Sequence, residues 1–286
     1  MTLKEQADKF HELLDAQIEA AKGDRYSRYR LVELTKTKIE YFKKAKRNEE
    51  ADALTEKNKE YPDFRKLLID KALKRKDSQK AKELCHEGAL VAKEKRFAGH
   101  FRQWEDELLR IAEKEKNTED IRLYAVKLYF DNRYDMKYYR KLKDTCTEEE
   151  WTIRYEEIIK KIQGPGMRGG YSEVTALADI FKEEKQWPRL LKQLQLTRGS
   201  LSLLNAYAPD IIEEYPSEVL DCYEIAVKEN AKDTGRSIYN ETARYLKKIE
   251  KMEGRFERVE KMLSFFRKEY KNRPATMQVL EKKYPM

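Results

Sequence analysis

Apolar residues recur three and four positions apart along almost the whole chain, the spacing that places them on one face of an α-helix. The clearest stretch is "TGRSIYNETARYLKKIEKMEGRFERVEKMLSFFRKEYKNRPATMQVL", residues 234 to 280. Tyr239, Ala243, Leu246 and Ile249 line one arm; Phe256, Val259, Leu263, Phe266 and Tyr270 line the other, with Gly254 between the arms and an Asn-Arg-Pro stop after them. Each stripe is too wide to leave in water. The pattern predicts a helical hairpin whose uncovered strip is buried by the next hairpin, the logic of a stacked repeat.

The same periodicity predicts a helix over 3–22 with Phe10, Leu13, Leu14 and Ile18 on one face, and another over 26–46 with Tyr29, Val32, Ile39 and Phe42. A polar helix over 48–59 follows. Pro62 then opens a helix that buries Phe64, Leu67, Leu68 and Ala72. Residues 78–117 read as a hairpin, with Ala81, Leu84, Cys85 and Ala89 facing Phe101, Trp104, Leu108 and Ile111. Thr118 is placed to cap a helix carrying Ile121, Tyr124, Leu128 and Phe130, and Thr147 with Glu150 forms a capping box. Further helices are predicted near 172–185, 187–197, 208–214, 216–231, 235–252, 255–271 and 274–283. "QGPGMRGG", residues 163–170, is the sharpest break. The predicted organisation is a helical region over 1–163, a Gly-rich hinge over 164–170 and a TPR-like helical repeat domain over 171–286. The expected fold is all-α: a TPR-like alpha-solenoid of stacked antiparallel helical hairpins with a degenerate repeat.

Composition tests this picture. Charged residues are 40% of the chain and mean hydropathy is −0.93, values that raise disorder as an alternative. The 18 Tyr, 10 Phe and 3 Trp at helical spacing exclude it. Net charge is +8, but the 61 basic residues interleave with 53 acidic ones, the signature of solvated helix faces more than of a phosphate-binding surface. Three dispersed cysteines, Cys85, Cys146 and Cys222, imply no disulfide framework and point to a reducing cytoplasm. No stretch reaches the roughly 18 apolar residues of a membrane span, so no membrane partner is expected.

Over residues 187–284 the chain resembles the C-terminal helical region of bacterial SWIM zinc-finger proteins. The matching words are L-x-x-L-x-x-Y-A-x-x-I from Leu201 to Ile211, "YPSEVLDCYEIAV", "TGRSIYNETARYLKKI" and "NRPATMQVL". The finger of that family, C-x-C followed downstream by C-x-H, is absent from this sequence, so its zinc and its binding functions do not transfer. The resemblance implies the helical portion of a longer protein, a TPR-like fold and a role in interactions.

Candidate chemistry is sparse. "GPGMRGG" lacks the preceding strand and the following Lys-Ser/Thr of a phosphate-cradling loop. His11, His86 and His100 lack ligand spacing, and Cys85-His86 comes without a recognisable oxyanion hole, so no metal, cofactor or catalytic residue is assigned. Two surfaces remain. In "DNRYDMKYYRKLKD", Arg133, Lys137, Arg140 and Lys141 can meet phosphates while Tyr134 or Tyr138 stacks on bases; alternatively the tyrosines pack between hairpins and the bases stay solvated. Arg236, Asn240, Arg244 and Lys247 share one helix face and can clamp an acidic or carboxylate-bearing peptide, or are an ordinary wet face. The function expected is a non-catalytic interaction scaffold with a protein or peptide partner and no small-molecule substrate. The alternative is a nucleic-acid-associated helical module.

Overall fold

In the computed structural model of the chain, residues 3–22, 28–94, 98–164, 170–197, 200–251 and 256–284 are described. They form sixteen α-helices and no strand, so the chain is all-α as its periodicity predicts. The helices fall into two compact units, 1–146 and 147–286. The first holds α1 (Leu3–Lys22), α2 (Arg28–Lys44), α3 (Asn48–Lys57), α4 (Pro62–Lys74), α5 (Ser78–Glu94), α6 (Ala98–Glu115), α7 (Thr118–Asp131) and α8 (Met136–Lys143). The second holds α9 (Glu148–Ile162), α10 (Tyr171–Glu183), α11 (Trp187–Leu196), α12 (Leu201–Ile211), α13 (Pro216–Asn230), α14 (Arg236–Glu250), α15 (Phe256–Glu269) and α16 (Pro274–Lys283). Of the Gly-rich segment 164–170, residues 165–169 lie outside the described residues, as does Gly254.

One turn recurs. Between α2 and α3, α4 and α5, α6 and α7, and α10 and α11, the chain reverses through a lysine in the left-handed region: Lys46, Lys76, Lys116 and Lys185, with φ of 60°, 62°, 55° and 52°. The residue after each lysine donates its N–H to a carbonyl five positions back (Arg47 to Phe42, Asp77 to Ala72, Asn117 to Ala112, Gln186 to Phe181), and the lysine itself donates three positions back. This pair of bonds satisfies the last carbonyls of the helix. The position usually favours glycine; lysine instead places a cation where the helix dipole is negative. The residue after the lysine immediately precedes the next helix in all four turns, Arg47, Asp77, Asn117 and Gln186; Asp77 caps α5 by accepting from the Lys80 N–H at 3.0 Å.

Helix packing follows a consistent order within each unit. Helices pack mainly on their sequence neighbours, most densely α5 on α6, although α16 packs on α14, and polar side chains reach across to the next helix but one. In the first unit Lys36 of α2 meets Asp63 of α4 at 2.8 Å, Arg110 of α6 meets Asp70 of α4 at 3.1 Å, and Tyr138 of α8 donates to Asp106 of α6 at 2.6 Å. Lys66 with Glu107 and Lys141 with Glu113 add rungs to the same ladder. In the second unit Arg189 of α11 pairs with Glu156 of α9 at 2.7 Å, Tyr207 of α12 donates to Asp179 of α10 at 2.7 Å, and Lys248 of α14 donates to Asn205 of α12 at 2.7 Å. Half-exposed pairs of this kind add little stability singly. Their effect is to fix which helix follows which, while the apolar interior supplies the energy.

The tightest part of that interior joins α4, α5 and α6. Ile69, Ala81, Leu84, Cys85, Trp104, Leu108 and Ile111 form one buried cluster. Gly88 admits the approach: a Cβ there would lie 2.7 Å from Arg65 Cδ and from two atoms of the Trp104 ring. Arg65 is itself buried. Its guanidinium donates to the Leu84 carbonyl at 3.0 Å and to Glu87 Oε2 at 3.1 Å, which offsets the desolvation of the charge.

Several sequence expectations change in detail. Phe10, Leu13 and Tyr29 are exposed rather than core, because the residues at those positions on α1 and α2 are not covered by another described helix face; Leu14, Ile18, Val32, Ile39 and Phe42 are buried. The cap of α7 is Asn117, whose side chain accepts from the Asp120 N–H, and Thr118 is the first helical residue. The capping box of Thr147 and Glu150 is present at α9. The helix expected over 208–214 instead spans Leu201–Ile211. Its Pro209 sits in the last turn, and Ser200 caps the helix by accepting from the Leu203 N–H.

Candidate interaction groove

α6 places Phe101, Glu105 and Leu108 on one face, four and three residues apart. α5 contributes Ala89 and Leu90, and α7 contributes Tyr124 and Lys127. Together they line a groove of about 870 Å³ within the first unit. Its walls are mainly apolar. Leu90 on its rim is 62% exposed, a large aliphatic side chain left in water.

The floor carries a charge. Glu105 is only 2% exposed. Its Oε1 forms an ion pair with Lys127, whose ammonium lies 4.9 Å from the Phe101 ring centroid. Its Oε2 is buried and has no hydrogen-bond donor among the described residues. Burial pushes the Glu105 carboxyl above the ordinary range, and Lys127 only partly opposes this. A buried acceptor left unmatched is costly, and in native proteins it calls for a reason.

A second groove, of about 860 Å³, lies among α2, α4 and α6. Two of its cations are already engaged: Lys36 with Glu33 and Asp63, and Lys66 with Asp70 and Glu107. His100 lines this groove, whereas His86 lines the first, and Cys85 is fully buried in the cluster behind them. The three residues therefore do not gather in one pocket. Burial pushes the Cys85 thiol up to about 12, which suits a packing residue and not a thiolate nucleophile. Among the described residues no group of three His, Cys, Asp or Glu side chains is arranged to hold a metal ion, and no helix is long and apolar enough to cross a membrane.

The basic, aromatic stretch 131–144 forms the end of α7, a turn and α8. Arg133 and Tyr134 occupy the turn with positive φ. Arg133, Lys137 and Arg140 are exposed. Tyr138 is buried, donates to Asp106, and is covered by the Lys137 ammonium at 4.5 Å from its ring centroid, so it has no face to offer a base. Tyr134 packs edge-on against Tyr129 and Phe130, at centroid distances of 5.6 and 5.9 Å. Lys141 is paired with Glu113. Of the two sequence readings, the packed-tyrosine one describes Tyr138.

On α14, Arg236, Asn240 and Arg244 are exposed and Lys247 is half-buried. Arg244 pairs with Glu241 at 3.2 Å, and Lys247 pairs with Glu250 at 2.9 Å while lying 4.3 Å over the Tyr284 ring. Arg236 and Asn240 have no side-chain partner among the described residues. The face that sequence reasoning passed over is the α5–α6–α7 groove. Its one signal was "RQWEDELLR", where Glu105 sits at the core-facing spacing of its helix between Phe101 and Leu108. No family model, no curated protein and no solved structure matches this chain.

Proposed function

We propose that this chain is a non-catalytic helical-repeat scaffold of TPR-like stacked hairpins that binds a polypeptide partner. The single observation that carries the reading is the α5–α6–α7 groove, an open apolar cleft with a rim leucine in water and an unmatched buried acceptor at its floor. The recurring lysine turns and the ladder of rungs to the next helix but one support the repeat architecture. Resemblance to the helical region of SWIM zinc-finger proteins belongs to the same proposal, and so does a cytoplasmic location. The burial of Tyr138 and the pairing of Lys141 weigh against the nucleic-acid alternative.

Selection of short random peptides on the immobilised full chain tests the scaffold reading. Peptides whose binding falls by about tenfold or more on Leu90→Asp are expected. Recovery of no peptide sensitive to Leu90→Asp overturns it. Retention of single-stranded oligonucleotides that weakens steeply with salt, in place of peptides, would favour the other class.

A further inference from the structure

We infer that the edge of the first unit formed by its three lysine turns binds an acidic stretch of a partner polypeptide. This rests on the scaffold reading above and names the chemistry of the partner. The turns lie side by side. Lys66 and Asp70 of α4 meet Glu107 and Arg110 of α6 in the same order, so the two helices run parallel and end at one edge. Lys71, near the end of α4, pairs with Asp52, near the start of α3, and ties the second turn to the first. Lys82, near the start of α5, pairs with Glu115 and Asp120 at 2.7 and 3.2 Å and ties the second turn to the third.

The edge comprises residues 44–52, 71–82 and 113–120, and its charges are unequally used. Lys44 and Lys46 stand at the first turn, Lys74, Arg75 and Lys76 at the second, and Lys114 and Lys116 at the third. All are exposed, and none has an ion pair or side-chain hydrogen bond among the described residues. The carboxylates are mostly taken. Glu50 pairs with Arg47, Asp52 with Lys71, and Glu113 with Lys141, while Glu115 and Asp120 share Lys82. Asp77 accepts the Lys80 N–H. Glu49 and Glu119 are the acidic residues left without a partner here. The fold thus undoes the interleaving of the sequence, turning acids toward neighbours and cations toward solvent. One cation answers each helix dipole; the others repel one another and favour an anion.

Composition and spacing decide which anion. The edge has no aromatic residue for a base to stack on and no exposed large apolar one for a bilayer to take in. Glu49, Glu119 and the paired carboxylates interrupt the groups of cations. A duplex, with a charge every ~1.7 Å of axis, or an anionic bilayer would set phosphates against these carboxylates. A flexible acidic chain places its own carboxylates at each group and spans the gaps.

The test measures binding of a decaglutamate peptide to the full chain at low salt. Lys46→Gly, Lys76→Gly and Lys116→Gly together remove one cation from each turn, and glycine suits their left-handed backbone. This triple variant is expected to bind decaglutamate about tenfold more weakly. Should it not fold, Lys44→Gln, Lys74→Gln and Lys114→Gln replace it with the same expectation, since glutamine matches lysine in helix propensity. Lys268→Ala, Lys271→Ala and Lys282→Ala remove the same charge from exposed positions of the second unit and are expected to change binding by less than about twofold. Equal losses in the two units, or no binding of decaglutamate by the wild type, overturn the inference. So does tighter binding of a mixed-sequence DNA duplex or of phosphatidylserine vesicles than of decaglutamate at equal salt. The scaffold reading survives these results and falls on a different one, the absence of any Leu90-sensitive peptide.

Discussion

The two sides of α6 treat the same kinds of atoms in opposite ways. Toward α4, a buried arginine has its hydrogen bonds, a tryptophan is sealed, and a glycine removes the last Cβ so that nothing is left open. Toward α7, a buried glutamate has an unmatched oxygen and a leucine stands in water. The difference is closure: the seam around Trp104 and Arg65 is packed shut, and the groove around Glu105 stays open. Substitutions on the two sides should therefore differ in their cost to stability.

The largest effect is expected at the seam. Trp104→Ala should destabilise the protein by about 3–5 kcal/mol, measured as a shift in urea midpoint at unchanged slope. Phe101→Ala, across the same helix, should cost clearly less; equal costs would erase the contrast. Gly88→Ala comes next, at about 1–3 kcal/mol, because the new methyl meets the Trp104 ring and the stem of Arg65 at 2.7 Å. A neutral result there would mean that α5 shifts easily and the seam is not tight.

Glu105 should show itself through pH. Its folded-state pKa is raised, chiefly by burial, so the folded protein binds this proton more readily than the unfolded chain does. The contribution of this group is therefore unfavourable above its folded pKa and is relieved as pH falls through that value toward the ordinary carboxylate range. Paired carboxylates such as Asp15, held low by its hydrogen bond to Lys38, run the other way, losing stabilisation as pH falls through their lowered pKa. Comparing wild type with Glu105→Gln by urea denaturation across the mildly acidic range should show the advantage of the variant shrinking as pH falls. A constant difference would mean that Glu105 does not titrate differently on folding. The smallest effect is expected from Leu90→Asp, within about 0.5 kcal/mol of wild type, since the side chain is already exposed. Larger destabilisation would make Leu90 a seam residue and remove the groove's open rim.

The second half of the chain was the more legible. Tyr239, Ala243, Leu246, Ile249, Val259, Leu263, Phe266 and Tyr270 are all buried as their spacing predicts, because periodicity reports directly on a helix face that neighbours cover from both sides. Phe10, Leu13 and Tyr29 failed for the converse reason: a correct stripe says nothing about whether a neighbour is present to cover it. Arg65 and Glu105 were invisible, since a charged residue at a core-facing position looks like noise until the elements that bury it are placed. The groove was out of reach for the same reason, as its lining comes from three helices. The lysine turns, by contrast, were present in plain text at Lys46, Lys76, Lys116 and Lys185, but without glycine they carry no familiar stop signal.

Those turns have a mechanical consequence. Each one reverses the chain with its own backbone bonds and asks nothing of distant residues. Pulling on the first unit from its ends should therefore release helices in small successive rips, those that end at one of its three lysine elbows snapping shut again as soon as the tension drops.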